Sequence, residues 1–191
     1  MKPLRLQTFL MATAFIGVAA FALADRGSAL ASLANQTLRD TAPDIRDGDT
    51  IVVRGTAVRI FGIDAPDDAD QSLSKAATRY LTQMIITQGG VTCSGAPIER
   101  LTGGKACTKA STSYDRINMA CRFNASQTSV GATLVAHGYA VDYPLFSGGI
   151  YKTAMQSAAS KRHGLWRDRY ADMATLANQR SKLPTRCKAL L

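Results

Sequence analysis

The chain has 191 residues, 46% of them hydrophobic, enough for one domain with a real core plus tails. Its 23 Lys and Arg outnumber 14 Asp and Glu for a net charge of +9, a balance that suits a polyanion: nucleic acid, anionic lipid or acidic polysaccharide. There is no internal repeat, P-loop or G-x-S-x-G motif, and the 4 cysteines include no C-x-x-C pair or His-containing cluster, which argues against zinc.

Lys2 and Arg5 precede an apolar run from Phe9 to Ala24, and small-residue sites follow at Ala22-Leu23-Ala24 and Ala29-Leu30-Ala31. This is the layout of a secretory signal peptide over residues 1–31. An uncleaved membrane anchor is the competing reading, because the run is long for a signal core and short for a full span. Either route exports the chain, to a secreted or periplasmic location or to an N-terminally anchored one. Cutting after Ala31 removes three basic residues and one acid and leaves a net of +7. Residues 32–46 form a polar lead-in that contains Pro43.

Residues 47–67 read DGDTIVVRGTAVRIFGIDAPD. Two runs rich in β-branched residues, Thr50–Val53 and Ala57–Gly62, flank Arg54-Gly55-Thr56 and read as a hairpin. A two-residue loop at Gly55-Thr56 predicts Ile51 opposite Ile60 and Val53 opposite Val58. Those four share one face, and Val52 and Arg59 point to the other. Continued outward, the register brings Asp49 and Asp64 to the same open end, with Asp47 and Asp67 close by. Such carboxylates repel one another unless a cation sits between them. All-oxygen donors suit a hard ion, Ca²⁺ first and Mg²⁺ second. Taken singly, Asp-Gly and Asp-Ala-Pro are also ordinary solvated turn chemistry. Together, with an arginine on the second strand, they favour a site.

Beyond a polar stretch, with Asp70 or Ser72 as N-cap, apolar residues from Leu73 to Ile85 recur at helical spacing, and Gly89-Gly90 stops the helix. Val91–Ser94 is a strand, followed by a Gly/Thr/Ser/Lys-rich segment to Ser113 whose Lys105 and Lys109 could meet a phosphate backbone. Tyr114-Asp115-Arg116 opens a further strand through Phe123. An even cysteine count in an exported chain favours disulfides, and four cysteines allow three pairings. Cys93 and Cys121 both end strand-like runs, so Cys93–Cys121 is the favoured pair, leaving Cys107–Cys187 to pin the tail. Val130, Leu134, Val135 and Tyr139 mark a short helix ending around His137-Gly138, and the run from Tyr151 is a third, capped by Gly164, with Trp166 available to pack back on the domain. His137 and His163 share no partner motif. The basic tail, residues 167–191, holds one more helical stretch over Tyr170–Lys182.

DGDT with VRIFGIDAPD, then Tyr114-Asp115-Arg116 through Cys121, then GYAVDYP, resemble the staphylococcal nuclease (thermonuclease) family in motif content and order. The likeness covers roughly Asp47 to Trp166, so residues 47–166 would be the nuclease-like domain. It implies a mainly β fold with helices (α+β): a five-stranded OB-fold Greek-key barrel with about three helices. By resemblance, Asp49, Asp64 and the backbone carbonyl of Ala65 hold Ca²⁺, and Arg59 clamps the substrate phosphate. Arg116 is the second catalytic arginine and Tyr114 lies along the nucleotide; Tyr143 is placed either to stack on a base or to pack in the core. Asp67 stands where the family has its glutamate base, one methylene shorter. Asp115 replaces a glycine whose backbone angles aspartate tolerates. The hairpin register does not bring Arg59 to the metal; a bulge or strong twist is needed, and only the resemblance supplies it.

The implied activity is an exported Ca²⁺-dependent endonuclease on DNA and RNA, leaving a 3′-phosphate, with low sequence specificity. Its partner would be single-stranded nucleic acid; no protein partner is evident, a monomer is expected, and only an uncleaved N-terminus would touch a membrane. The alternative is a catalytically impaired exported OB-fold protein that binds nucleic acid or another polyanion, motivated by Asp67 and the altered context of Arg116. A third reading is a basic envelope protein acting on acidic polymers other than nucleic acid.

Overall fold

The computed structural model describes residues 36–67, 71–95, 112–183 and 187. These form nine strands, β1 (Thr37–Asp40), β2 (Asp44–Ile45), β3 (Thr50–Val53), β4 (Thr56–Ile60), β5 (Ile63–Asp64), β6 (Val91–Ser94), β7 (Thr112–Ser113), β8 (Arg116–Phe123) and β9 (Val141–Asp142). The six described helices are α1 (Gln71–Thr87), α2 (Val130–Ala136), α3 (Pro144–Ser147), α4 (Lys152–Ser160), α5 (Leu165–Asp168) and α6 (Tyr170–Ser181). The main sheet runs β1-β6-β8-β4-β3-β2, with β7 paired to β8, while β5 and β9 form a separate two-stranded ladder.

The sheet curls for a covalent reason. Its two edges, β1 and β2, are consecutive in the chain and are joined by Thr41-Ala42-Pro43 alone. Three residues reach about 10 Å at full extension, so the edges must come close and the six-strand path becomes a half-barrel. Arg54, in the β3–β4 turn, ties that hairpin to the β1 edge: its N–H donates to Asp40 Oδ2 at 3.0 Å and its Nε to the Arg39 carbonyl at 2.9 Å. The polar lead-in thus holds two short strands broken at Pro43, which has no N–H for a ladder. The architecture is mixed α+β and barrel-like, as expected, with six described helices rather than about three.

The β3–β4 hairpin forms, but its register differs from the expected one. The loop is Arg54-Gly55, with φ of 52° and 78°, and the ladder pairs Val53 with Thr56, Ile51 with Val58 and Thr50 with Arg59. Positive φ at both central residues is the type I′ arrangement, whose twist matches that of the flanking strands. Gly55 takes its place freely, and the hairpin holds Arg54 in the left-handed region as well. The shift is two residues, so the faces survive: Ile51, Val53 and Val58 are fully buried and Ile60 nearly so.

Helix α1 lays Leu73, Ala77, Leu81 and Ile85 on the curled sheet, as its periodicity predicts. Ser72 is its second residue rather than its N-cap, and Asp70 lies outside the described residues. At its end Gly89 and Gly90 have φ of 65° and 95°, and Gly90 N–H donates back to the Ile85 carbonyl at 2.9 Å. On β6 and β8, Cys93 faces Cys121 and the two are bonded, with Cα atoms 4.0 Å apart. Cys187 is buried and disulfide-bonded; Cys107, the partner expected for it, lies outside the described residues, as do Lys105, Lys109 and the N-terminal apolar run. No helix among the described residues is long and apolar enough to cross a membrane.

The helix expected from Tyr151 to its cap at Gly164 is shorter, and the separate short helix α5 follows that glycine. Arg162 adopts φ of 53° and His163 N–H closes back on the Ala158 carbonyl at 2.9 Å, ending α4 well before Gly164. Helix α3, with Pro144 at its first position, adds an element that the tyrosine-rich segment did not announce. Helix α6 matches the tail stretch expected to be helical, and its Met173 is fully buried in the core.

Candidate functional site

The pairing of Thr50 with Arg59 places the arginine one residue from Asp49, whose carbonyl accepts the Ile60 N–H at 2.8 Å. The register itself therefore brings Arg59 to the carboxylates, with no bulge. Gly62, at φ 76°, then turns the chain, and β5 pairs with β9 through Ile63–Asp142 and Asp64–Val141, which returns Asp64 to the same spot. Gly48 matters through close approach: a Cβ there would lie 2.7 Å from the Cβ atoms of both Ala65 and Ala77. The DGD glycine is what lets this loop press against α1.

Arg59 is the centre. Its Nη1 donates to Asp49 Oδ1, and its Nη2 donates to Asp64 Oδ1 at 2.6 Å and to the Ile63 carbonyl at 3.2 Å. Asp49 Oδ2 accepts the Ala65 N–H at 2.9 Å, and Oδ1 also accepts from Thr50 Oγ1 at 3.1 Å. Thr50 Oγ1 in turn accepts from Arg116 Nη1 at 3.0 Å. One threonine hydroxyl thus links the second arginine to the buried carboxylate. Asp47 Oδ1 accepts the Asp49 N–H at 3.0 Å and fixes the loop. Burial pushes the Asp49 carboxyl up to about 7, against the pull of the adjacent Arg59 guanidinium.

Asp49, Arg59, Asp64, Ala65, Asp67, Tyr114, Arg116 and Tyr143 all line one cleft of ≈ 390 Å³. Every sequence-predicted catalytic, metal and substrate residue is brought together there. Asp67 is exposed at its rim. Tyr114 is 94% exposed, with the Arg116 guanidinium 5.9 Å from its ring centroid. In the β7–β8 turn it is Tyr114, at φ 56°, that takes the left-handed conformation. Asp115 has no such angle, contrary to the expectation that it stands in for a glycine there. A non-glycine residue at the first central position of this turn carries strain of roughly 1 kcal/mol. His137 and His163 lie away from the cleft, exposed, with Nδ1 atoms against the Thr133 and Ala136 carbonyls.

Two cleft residues escape motif reasoning. Phe146, from α3, packs edge-on to Tyr143 at 5.0 Å. Arg180, from α6, donates from Nε to Asp64 Oδ2 at 2.6 Å and stands 5.3 Å above the Tyr143 ring. The donor set as arranged does not fit a bound divalent ion. All four oxygens of Asp49 and Asp64 already accept from protein N–H or O–H groups, and two guanidiniums balance two carboxylates. Among the described residues no group of three or more His, Cys, Asp or Glu is gathered as a metal site.

No protein-family profile matches the chain. It is similar to the succinoglycan biosynthesis protein ExoI of Rhizobium meliloti (strain 1021), at 28% identity over 130 residues, 63% of this chain. The match spans 61% of that protein's length.

Proposed function

We propose that this protein is an exported phosphodiesterase that binds and cleaves single-stranded DNA and RNA with low sequence specificity, built on an OB-fold barrel. The observation that carries the reading is the convergence of Arg59 and Arg116 on Thr50 and Asp49, inside a cleft walled by Tyr114 and Tyr143. A phosphodiester resists attack because its charge repels nucleophiles. Two planar guanidiniums neutralise that charge and offer forked donors that match the trigonal-bipyramidal oxygens better than the ground state. An entering phosphate takes over donors that Arg59 now directs at its carboxylates. Asp67, open to solvent at the rim, positions or deprotonates the attacking water. The tyrosines offer flat faces on which bases of any identity stack. The curled sheet with its edges joined supports the OB-fold assignment, a fold that often presents such a groove. Ca²⁺ enters this reading only in competition with Arg59 and Arg180 for their carboxylates.

The similarity to a protein named for succinoglycan biosynthesis favours a second reading, in which the same cleft, with Arg59, Arg116 and Arg180 in its lining, serves an acidic glycan. One experiment separates the two. Fluorescent single-stranded DNA, RNA and an acidic polysaccharide are each incubated with the chain from Ser32 onward, with Ca²⁺ and with chelator. Shortened oligonucleotides with the polysaccharide intact support the phosphodiesterase. Polysaccharide binding or shortening with inert oligonucleotides supports the second reading.

A further inference from the structure

Arg180 lies 116 residues beyond Asp64, in the last turn of α6, and is held there by a rigid element. Met173 anchors the helix in the core, and Arg169, just before it, donates to Ser72 Oγ on α1 at 2.7 Å. Tyr170 packs edge-on to Trp166, and Cys187 beyond it is buried and disulfide-bonded. Asp64 is 7% exposed and has two oxygens. One accepts from Arg59 and the other from Arg180, both at 2.6 Å. The pair Asp49 and Asp64 is charge-balanced by the pair Arg59 and Arg180 before any ion arrives.

We propose that Arg180 is the resident counter-cation of this site, so that a divalent cation binds Asp64 only by displacing it. A divalent ion entering this pair finds each carboxylate already matched by a guanidinium and stands beside two like charges, which oppose the pull of Asp47 and Asp67 in the same cleft. Removing the Arg180 charge leaves one carboxylate in excess in a nearly water-free position and frees the Oδ2 of Asp64. Such an oxygen at the mouth of a cleft is the donor a hard cation takes. The consequence is an anion-binding cleft that works at low Ca²⁺, with α6 as the element that sets its metal requirement. The inference deepens the phosphodiesterase reading and takes its purpose from it, yet calorimetry without nucleic acid measures it separately.

The test is titration of Ca²⁺ into the full chain as wild type, Arg180→Gln, Arg180→Lys and the double variant Arg180→Gln/Asp64→Asn. The proposal expects Arg180→Gln to bind Ca²⁺ at least about tenfold more tightly than wild type, since a single removed repulsion worth 1.4 kcal/mol is a factor of ten. Arg180→Lys should stay near wild type, and Asp64→Asn should abolish the gain. Should Arg180→Gln fail to fold by circular dichroism, Arg180→Met keeps the stem over Tyr143 without the charge and is titrated in its place. Equal Ca²⁺ affinity in wild type and the neutral variant overturns the proposal, as does a gain that survives Asp64→Asn. Nuclease activity enters none of these outcomes, so an inert protein would leave the Ca²⁺ result standing and sink only the phosphodiesterase reading.

Discussion

Thr50 and Arg59 face each other across the β3–β4 hairpin, and this pairing sets the guanidinium beside Asp49. The same threonine accepts from Arg116 and donates to Asp49. It couples Arg116 to the carboxylate that Arg59 holds. Thr50→Val keeps the strand and the volume while deleting both hydrogen bonds. The expected loss of stability is about 1 kcal/mol, whereas substrate turnover should fall by tenfold or more because Arg116 loses the hydrogen bond that directs it toward Asp49. Urea denaturation and steady-state kinetics on the same sample check the split, and equal losses in both would contradict it.

Gly48→Ala places a methyl group against two others at 2.7 Å. The loop carrying Asp49 must move off α1, at a cost of about 1–3 kcal/mol. Ala77→Gly removes one of the two clashing groups and should recover part of the loss in the double variant. A thermal melt of the four proteins reads this coupling directly. Strict additivity would mean that the two residues do not press on each other.

Reduction of Cys93–Cys121 opens a cross-link between residues 28 apart in sequence. For a loop of that size the chain-entropy estimate is roughly 3–4 kcal/mol. The Cys93→Ala/Cys121→Ala variant should therefore unfold at a much lower urea concentration, and adding reductant should lower its midpoint less than that of wild type, because only the Cys187 disulfide is left to reduce.

Asp142 supplies a pH prediction. It is 1% exposed, Ser147 Oγ donates to its Oδ1 at 2.6 Å, and its Oδ2 has no hydrogen-bond partner. Burial raises its carboxyl above the usual range, more than Ser147 lowers it. A carboxyl raised on folding favours the folded state while protonated. Its contribution is complete below the unfolded value, near 4, and is lost as pH climbs through the raised folded value. Asp142→Asn should thus gain on wild type as pH rises from 4 to 8, seen as a widening difference in melting temperature. A constant difference across that range would show that Asp142 does not titrate in it.

How much of this was legible depends on whether a signal was local. The carboxylates, both arginines and both tyrosines were marked by short motifs, and all line the cleft. The faces of the hairpin followed from alternation, but its register did not, because Arg54 at φ 52° looks like an ordinary strand residue. Arg162 at φ 53° hid the early end of α4 in the same way. Side chains with positive φ leave no mark in composition. Closure of the sheet through Thr41-Ala42-Pro43 required knowing which strands were the edges. Arg180 was beyond reach for a different reason: its partner is 116 residues away, and an arginine in a basic tail carries no sign of where it docks.

Single-stranded DNA cleavage by wild type beside Arg59→Ala and Arg59→Lys tests the role of the Arg59 guanidinium directly. Wild type should cleave, and Arg59→Ala should fall by about a hundredfold or more, by analogy with loss of one preorganised charge-stabilising donor. Lysine should restore little, because it lacks the planar fork. Cleavage at the wild-type rate by Arg59→Ala would contradict the claim that this guanidinium is the centre of the site.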